Sequence, residues 1–120
     1  MTAGSRAAIA YIAARLVSGA NSSSVYDYSR SEYINVSGSV RSGAIQVYDY
    51  DRGCYVSGSG NGRNYSLFDY GEGNHINLSI SGSNFNGFDY GTGSHFNGRV
   101  NGRSVTFYDY GVAGYFNFSI

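Results

Sequence analysis

Apolar and polar residues alternate along most of the chain, in short runs separated by Gly-rich joints. A period of two predicts strands. Between residues 63 and 80 the two runs are Tyr65–Tyr70 and His75–Ile80. The joints after them are Gly71-Glu72-Gly73-Asn74 and Ser81-Gly82-Ser83-Asn84. Gly at the second position of the latter joint supplies the positive φ of a tight reversal. Folding the strands over these joints sorts the side chains. One face collects Tyr65, Leu67, Asp69, Ile76, Leu78 and Ile80; the other collects Ser66, Phe68, Tyr70, His75, Asn77 and Ser79. A one-residue slip would mix the two sets, so the register is self-consistent. By the same folding, Gly87 falls level with Gly98, and Phe107 with Phe118. Residues 5–18 break the pattern. Ile9, Ile12, Leu16 and Val17 share a helical stripe that Arg6 and Arg15 avoid, which predicts an amphipathic helix. Ser5 is placed to N-cap it and Gly19 to end it, with residues 21–24 as a short linker.

The strand pairs are copies of one unit. Asp-Tyr recurs at Asp27-Tyr28, Asp49-Tyr50, Asp69-Tyr70, Asp89-Tyr90 and Asp109-Tyr110, spaced 22, 20, 20 and 20 residues apart. The residue before Asp is always aromatic: Tyr26, Tyr48, Phe68, Phe88, Tyr108. Five residues after the repeat Tyr stand Tyr33, Tyr55, His75, His95 and Tyr115. The predicted organisation is a helix over 1–20, then five units at 23–40, 43–60, 63–80, 83–100 and 103–120.

Such units stack in two ways. They can coil as a two-sided β-solenoid, with the N-terminal helix capping one end. They can also run as a ten-stranded antiparallel meander or barrel. Asn and aromatic ladders, medium-sized core positions and the single helix favour the solenoid. Five Asp residues stacked one strand apart oppose it, because like charges that close are costly. In either fold each Asp can turn to the following joint and accept its backbone N–H groups. The expected fold is thus all-β with one N-terminal α-helix, arranged as a solenoid, with the meander as the alternative.

Composition sharpens this picture. Gly, Ser, Tyr and Asn supply half of the 120 residues, and Pro is absent. Eight Arg balance eight acids, and five of those acids are the repeat Asp. A neutral chain is not a general polyanion binder, so no nucleic-acid partner is expected. One Cys excludes a disulfide framework. No apolar run approaches a membrane span. Ala7–Ala14 is the longest such run, and Arg15 ends it, so no clear signal peptide is read. That leaves a cytoplasmic address by default.

The string Phe68-Asp69-Tyr70-Gly71-Glu72-Gly73-Asn74-His75-Ile76 resembles the strand–Gly-x-Gly-Asn–strand joint of bacterial curlin repeats, the major subunit of curli fibres. Curlin likewise has five repeats of about this length. The resemblance covers residues 23–120 in pattern and is specific only at Gly71–Asn74, with Gly91–Ser94 a looser match. Curlin carries Gln where this chain has Asp69 and Ile80, and a Gly-rich leader where this chain has a helix. The resemblance implies a similar β-stack and, taken further, an extracellular address.

Little in the sequence points to catalysis. His75 and His95 would stack one repeat apart, and two imidazoles alone make a poor metal site. Nothing brings Cys54 together with a base, so no catalytic residue, metal or cofactor is assigned. An active site needs one copy, whereas the Asp recurs in all five. The expected function is a non-enzymatic structural protein that self-associates through β-stacking as a homo-oligomer or fibre, using a final strand edge of Phe116, Phe118 and Ile120. The alternative is a binding module that presents Tyr28, Tyr50, Tyr70, His75, Tyr90, His95, Tyr110 and Tyr115 to glycans or a protein partner.

Overall fold

A computed structural model describes all 120 residues. Helix α1 (Ala3–Ser18) is followed by β1 (Ser24–Asp27), β2 (Glu32–Val40), β3 (Ala44–Asp49), β4 (Cys54–Gly60) and β5 (Asn64–Asp69). Then come β6 (Asn74–Ser81), β7 (Asn84–Asp89), β8 (Ser94–Asn101), β9 (Ser104–Asp109) and β10 (Gly114–Ser119). Each strand pairs antiparallel with the next, and β10 returns to β1, so the sheet is a closed ten-stranded barrel. The fold is the meander and not the solenoid. Local chain geometry explains why. β6 and β7 are joined by only Gly82 and Ser83, with Gly82 at φ 60°, and Ser81 faces Asn84 directly. A two-residue reversal of this kind makes a hairpin and sends the next strand back alongside the last. Closure also removes both sheet edges.

The helix does not cap an end. Ten of its residues are buried, all but one of them between Gly4 and Ala13 with Ala14 following, and they face every direction around its axis. Ala7-Ala8-Ile9-Ala10-Tyr11-Ile12-Ala13-Ala14 is apolar all round, which marks a helix surrounded by protein. It occupies the barrel lumen. An eight-stranded barrel is just filled by its own side chains, so ten strands leave room for a further element. Small Ala side chains keep that element slim. Its N-cap is Thr2, whose Oγ1 accepts from the Ser5 amide at 3.2 Å, in place of the expected Ser5. Gly19 ends it at φ 69°, as expected.

The two faces sort as the alternation predicts. Val25, Ile34, Val36, Val47, Val56, Leu67, Ile76, Leu78, Phe85, Phe96, Phe107 and Phe118 line the lumen with at most 2% exposure. The first copy is two residues longer, and the extra pair lies in β2. Val36 faces Asp49, whereas Ile76 faces Asp89 and Phe96 faces Asp109. An even insertion slides the strand and leaves every side chain on its own wall. The expected level pairs within hairpins are corrected by two residues. Phe85 faces Gly98, Gly87 faces Phe96, and Phe107 faces Phe116. Each hairpin starts pairing at the joint itself, as Asp69 with Asn74, and this sets the slide. Large rings therefore lie over glycines. A Cβ at Gly98 would run into Phe85 Cζ and the Thr106 carbonyl.

Candidate binding face

The Asp-Tyr dipeptide straddles the barrel wall at one end. The five Asp side chains turn inward and are at most 2% exposed. Each first satisfies its own joint. Asp69 Oδ1 accepts from the Gly71 and Glu72 amides at 2.9 and 3.2 Å, and Asp27, Asp49, Asp89 and Asp109 do the same for Ser29, Asp51, Gly91 and Gly111. Cations then interleave. Arg52 Nη1 bridges both Asp69 oxygens at 3.0 Å while its Nε holds Asp49 at 2.7 Å. Arg30 Nε holds Asp27 at 2.7 Å, and Arg6 and the Met1 ammonium reach Asp109 at 3.1 Å. Ser5 Oγ donates to Asp69 at 2.6 Å, so the helix start is tied to the ring. Asp89 has only neutral donors, the Gly91 amide and Asn74 Nδ2.

Successive Asp residues lie two strands apart, about 10 Å, twice the solenoid spacing. This relieves the repulsion that argued against stacking. Burial pushes the Asp27 carboxyl up, and the hydrogen bonds from Ser29 and Arg30 outweigh it, so its pKa is lowered from 3.8. Desolvation lowers the Arg52 value and its Asp49 and Asp69 partners more than restore it, for a net rise. The Arg partners were not read from the sequence, although Asp27-x-x-Arg30 and Asp49-x-x-Arg52 carry the signal.

The aromatic residues turn outward at the same level. In each copy the residue before Asp is half-buried and sits at the centre of a triad. Phe68 meets Tyr70 and His75 edge-on, with ring centroids 4.7 and 4.9 Å away; Phe88 does the same with Tyr90 and His95 at 4.9 and 4.7 Å. Tyr26 with Tyr28 and Tyr33, Tyr48 with Tyr50 and Tyr55, and Tyr108 with Tyr110 and Tyr115 repeat the arrangement. All eight predicted face residues therefore fall in one belt, five triads around the outer wall. The triads add to that face their central members, Tyr26, Tyr48, Phe68, Phe88 and Tyr108, together with Tyr33 and Tyr55. His75 and His95 lie on β6 and β8 with β7 between them, in separate triads.

Three triads are held by a polar side chain of the preceding hairpin. Asn77 Nδ2 donates to Tyr90 Oη at 3.1 Å, Asn97 Nδ2 to Tyr110 Oη at 3.0 Å, and Ser37 Oγ to Tyr50 Oη at 3.2 Å. Below the belt the outer wall carries Ser, Asn, Gln and Thr, including Gln46, Ser57, Asn86 and Thr106, and one Arg, Arg99, opposite Thr106. A lipid-facing wall would carry an apolar band there. No helix is long and apolar enough to cross a membrane.

The predicted self-association edge sits inside the closed sheet. β10 pairs with β9 on one side and β1 on the other. Phe118 is buried in the lumen, Phe116 and Ile120 pack partly against the core, and the Arg6 guanidinium lies 3.8 Å from the centre of the Phe116 ring. Cys54 begins β4 beside Gly71. Burial pushes its thiol up; the Arg52 guanidinium pulls the other way, and the Asp69 and Asp49 carboxylates add to the net rise.

No protein-family model matches the chain, and no curated protein or solved structure is significantly similar to it. The curlin-like joint at Gly71–Asn74 turns a meander corner in this fold.

Proposed function

We propose that this protein is a non-enzymatic binding module whose outer wall engages neutral glycans. The observation that carries the reading is the belt of five exposed aromatic triads, set above a wall of amides and hydroxyls. Tyr with Asn and Ser offers rigid amphipathic area and adaptable hydrogen bonding at low entropic cost. A purely structural aromatic would be covered, yet Tyr70 and Tyr90 are 61% and 58% exposed. The Asp ring serves the scaffold, because every carboxylate is already bonded to its joint. Cys54, with its raised thiol pKa, is a poor nucleophile in this setting.

Self-association through β-stacking, the first expectation from the sequence, needs a free strand edge, and closure occupies both sides of β10. A glycan array tests the proposal directly. Binding that falls with Tyr70→Ala and Tyr90→Ala supports it. An array on which nothing binds, or binding untouched by both changes, overturns it and turns attention to a protein partner.

A further inference from the structure

Two hollows on the outer wall are copies of one another. On the β5–β6 hairpin, Ser66, His75, Asn77 and Tyr90 line a groove of about 400 Å³. Twenty residues further on, their equivalents Asn86, His95, Asn97 and Tyr110 line a groove of about 420 Å³ on β7–β8. In each, the two floor residues face one another across the strands, Ser66 with Asn77 and Asn86 with Asn97. Each groove also continues down its hairpin through those same two residues, into hollows of about 310 and 450 Å³.

We propose that these two grooves are equivalent sugar subsites, and that the ligand is a linear neutral polysaccharide lying across the strands and held along its chain. The inference rests on the glycan-binding reading and deepens it. Four arguments support it. The first is preorganisation. Tyr90 Oη accepts from Asn77 Nδ2 and Tyr110 Oη accepts from Asn97 Nδ2, so each ring is pinned and each phenol hydrogen is left to donate outward. The second is unspent bonding capacity. The Asn86 amide is exposed to solvent, and it offers a donor and an acceptor to adjacent sugar hydroxyls. The third is charge. Neither groove is lined by a carboxylate, amine or guanidinium, and of the two adjoining hollows only the one beyond Asn86 and Asn97 holds a cation, Arg99, so a ligand held equivalently in both grooves gains nothing from carrying charge. The fourth is spacing. The grooves are two strands apart, about 10 Å, which is beyond one sugar ring and within reach of a short chain. On a convex wall a chain passes from one groove to the next with both ends free.

Calorimetry on the full chain tests this, with glucose-, mannose- and xylose-based oligosaccharides of two, four and six units as probes. In one series the affinity should rise about tenfold or more from two units to six, as the second groove engages. Tyr90→Ala and Tyr110→Ala should each weaken the six-unit ligand about tenfold, the loss of one anchoring ring. Either single variant should thus bring the six-unit ligand down to about the level of the two-unit ligand, and the double variant should fall about a further tenfold below it. Both side chains are exposed, and an unchanged melting curve confirms that the variants are folded. Affinity independent of chain length, or unaffected by both substitutions, overturns the two-subsite inference; array binding that persists in that case leaves the glycan reading standing. If neither the array nor the calorimeter detects a neutral glycan, both are overturned.

Discussion

The inner and outer walls of the barrel are written by the same strands, one residue apart, and they behave as different materials. The inner wall is dry, interlocked and spent. Its carboxylates are bonded, its rings lie over glycines, and its centre is filled by a helix. The outer wall is wet and repetitive, and part of its bonding capacity is unused. Asp69 and Tyr70 are adjacent in sequence, yet one is fully buried and the other is 61% exposed. A residue repeated in every copy therefore has no single meaning. Inside, repetition builds the scaffold; outside, the same repetition multiplies a surface.

Substitutions on either side of the wall separate the two roles. The largest effect is expected at Tyr11, which is wholly buried in the lumen and donates to the Ser22 carbonyl at 2.5 Å. Tyr11→Ala empties the middle of the barrel and should cost about 3–5 kcal/mol in a denaturant titration. A loss under 1 kcal/mol would mean that the helix does not support the wall. Next is the ring. Asp69→Ala strips Arg52 and Ser5 of their shared partner and should cost about 3 kcal/mol. Asp89→Ala removes only neutral bonds and should cost about 1–2 kcal/mol. Equal losses would show that the cations contribute nothing beyond the joints. At Gly98 the added methyl of Gly98→Ala must displace the Phe85 ring, for about 1–3 kcal/mol.

The pH dependence of the ring is smaller and has a definite sign. The folded Asp27 value is depressed, so its stabilising contribution is present above its unfolded value of 3.8 and is lost as the pH falls through the folded value. Asp27→Asn should flatten this part of an acid titration monitored by circular dichroism. The smallest effect on stability is expected outside. Tyr90→Ala should lower stability by less than about 1 kcal/mol, whatever it does to binding. A large loss there would make the aromatic belt part of the scaffold and erase the contrast between the walls.

Much of this fold is legible in the sequence, and the reasons for the exceptions are physical. The strands, the joints, the wall each residue joins and the Asp-to-joint hydrogen bonds follow from period two and turn chemistry, which are local. Closure is not local. A solenoid and a meander share the same hairpin alternation, and only the pairing between units, such as Ile76 with Asp89, separates them. The helix was misplaced because four stripe residues outweighed the run Ala7–Ala14, whose lack of a polar side is the mark of a surrounded helix. The tyrosines of the face were visible from their alternation with the inward residues. The grooves were not, because they depend on which floor residue faces which, as Asn86 faces Asn97.

The lumen helix also sets how many times the unit can be written. Each unit contributes two strands, and the strand count fixes the bore. Removing one unit leaves eight strands, whose interior side chains alone would fill, with no space for α1. Adding one leaves a gap around α1 that nothing in residues 1–20 could occupy. Five is thus the copy number at which this leader and these hairpins fit each other. Gain or loss of a whole unit, the usual way repeat arrays change length, is closed to this chain unless its first twenty residues change as well.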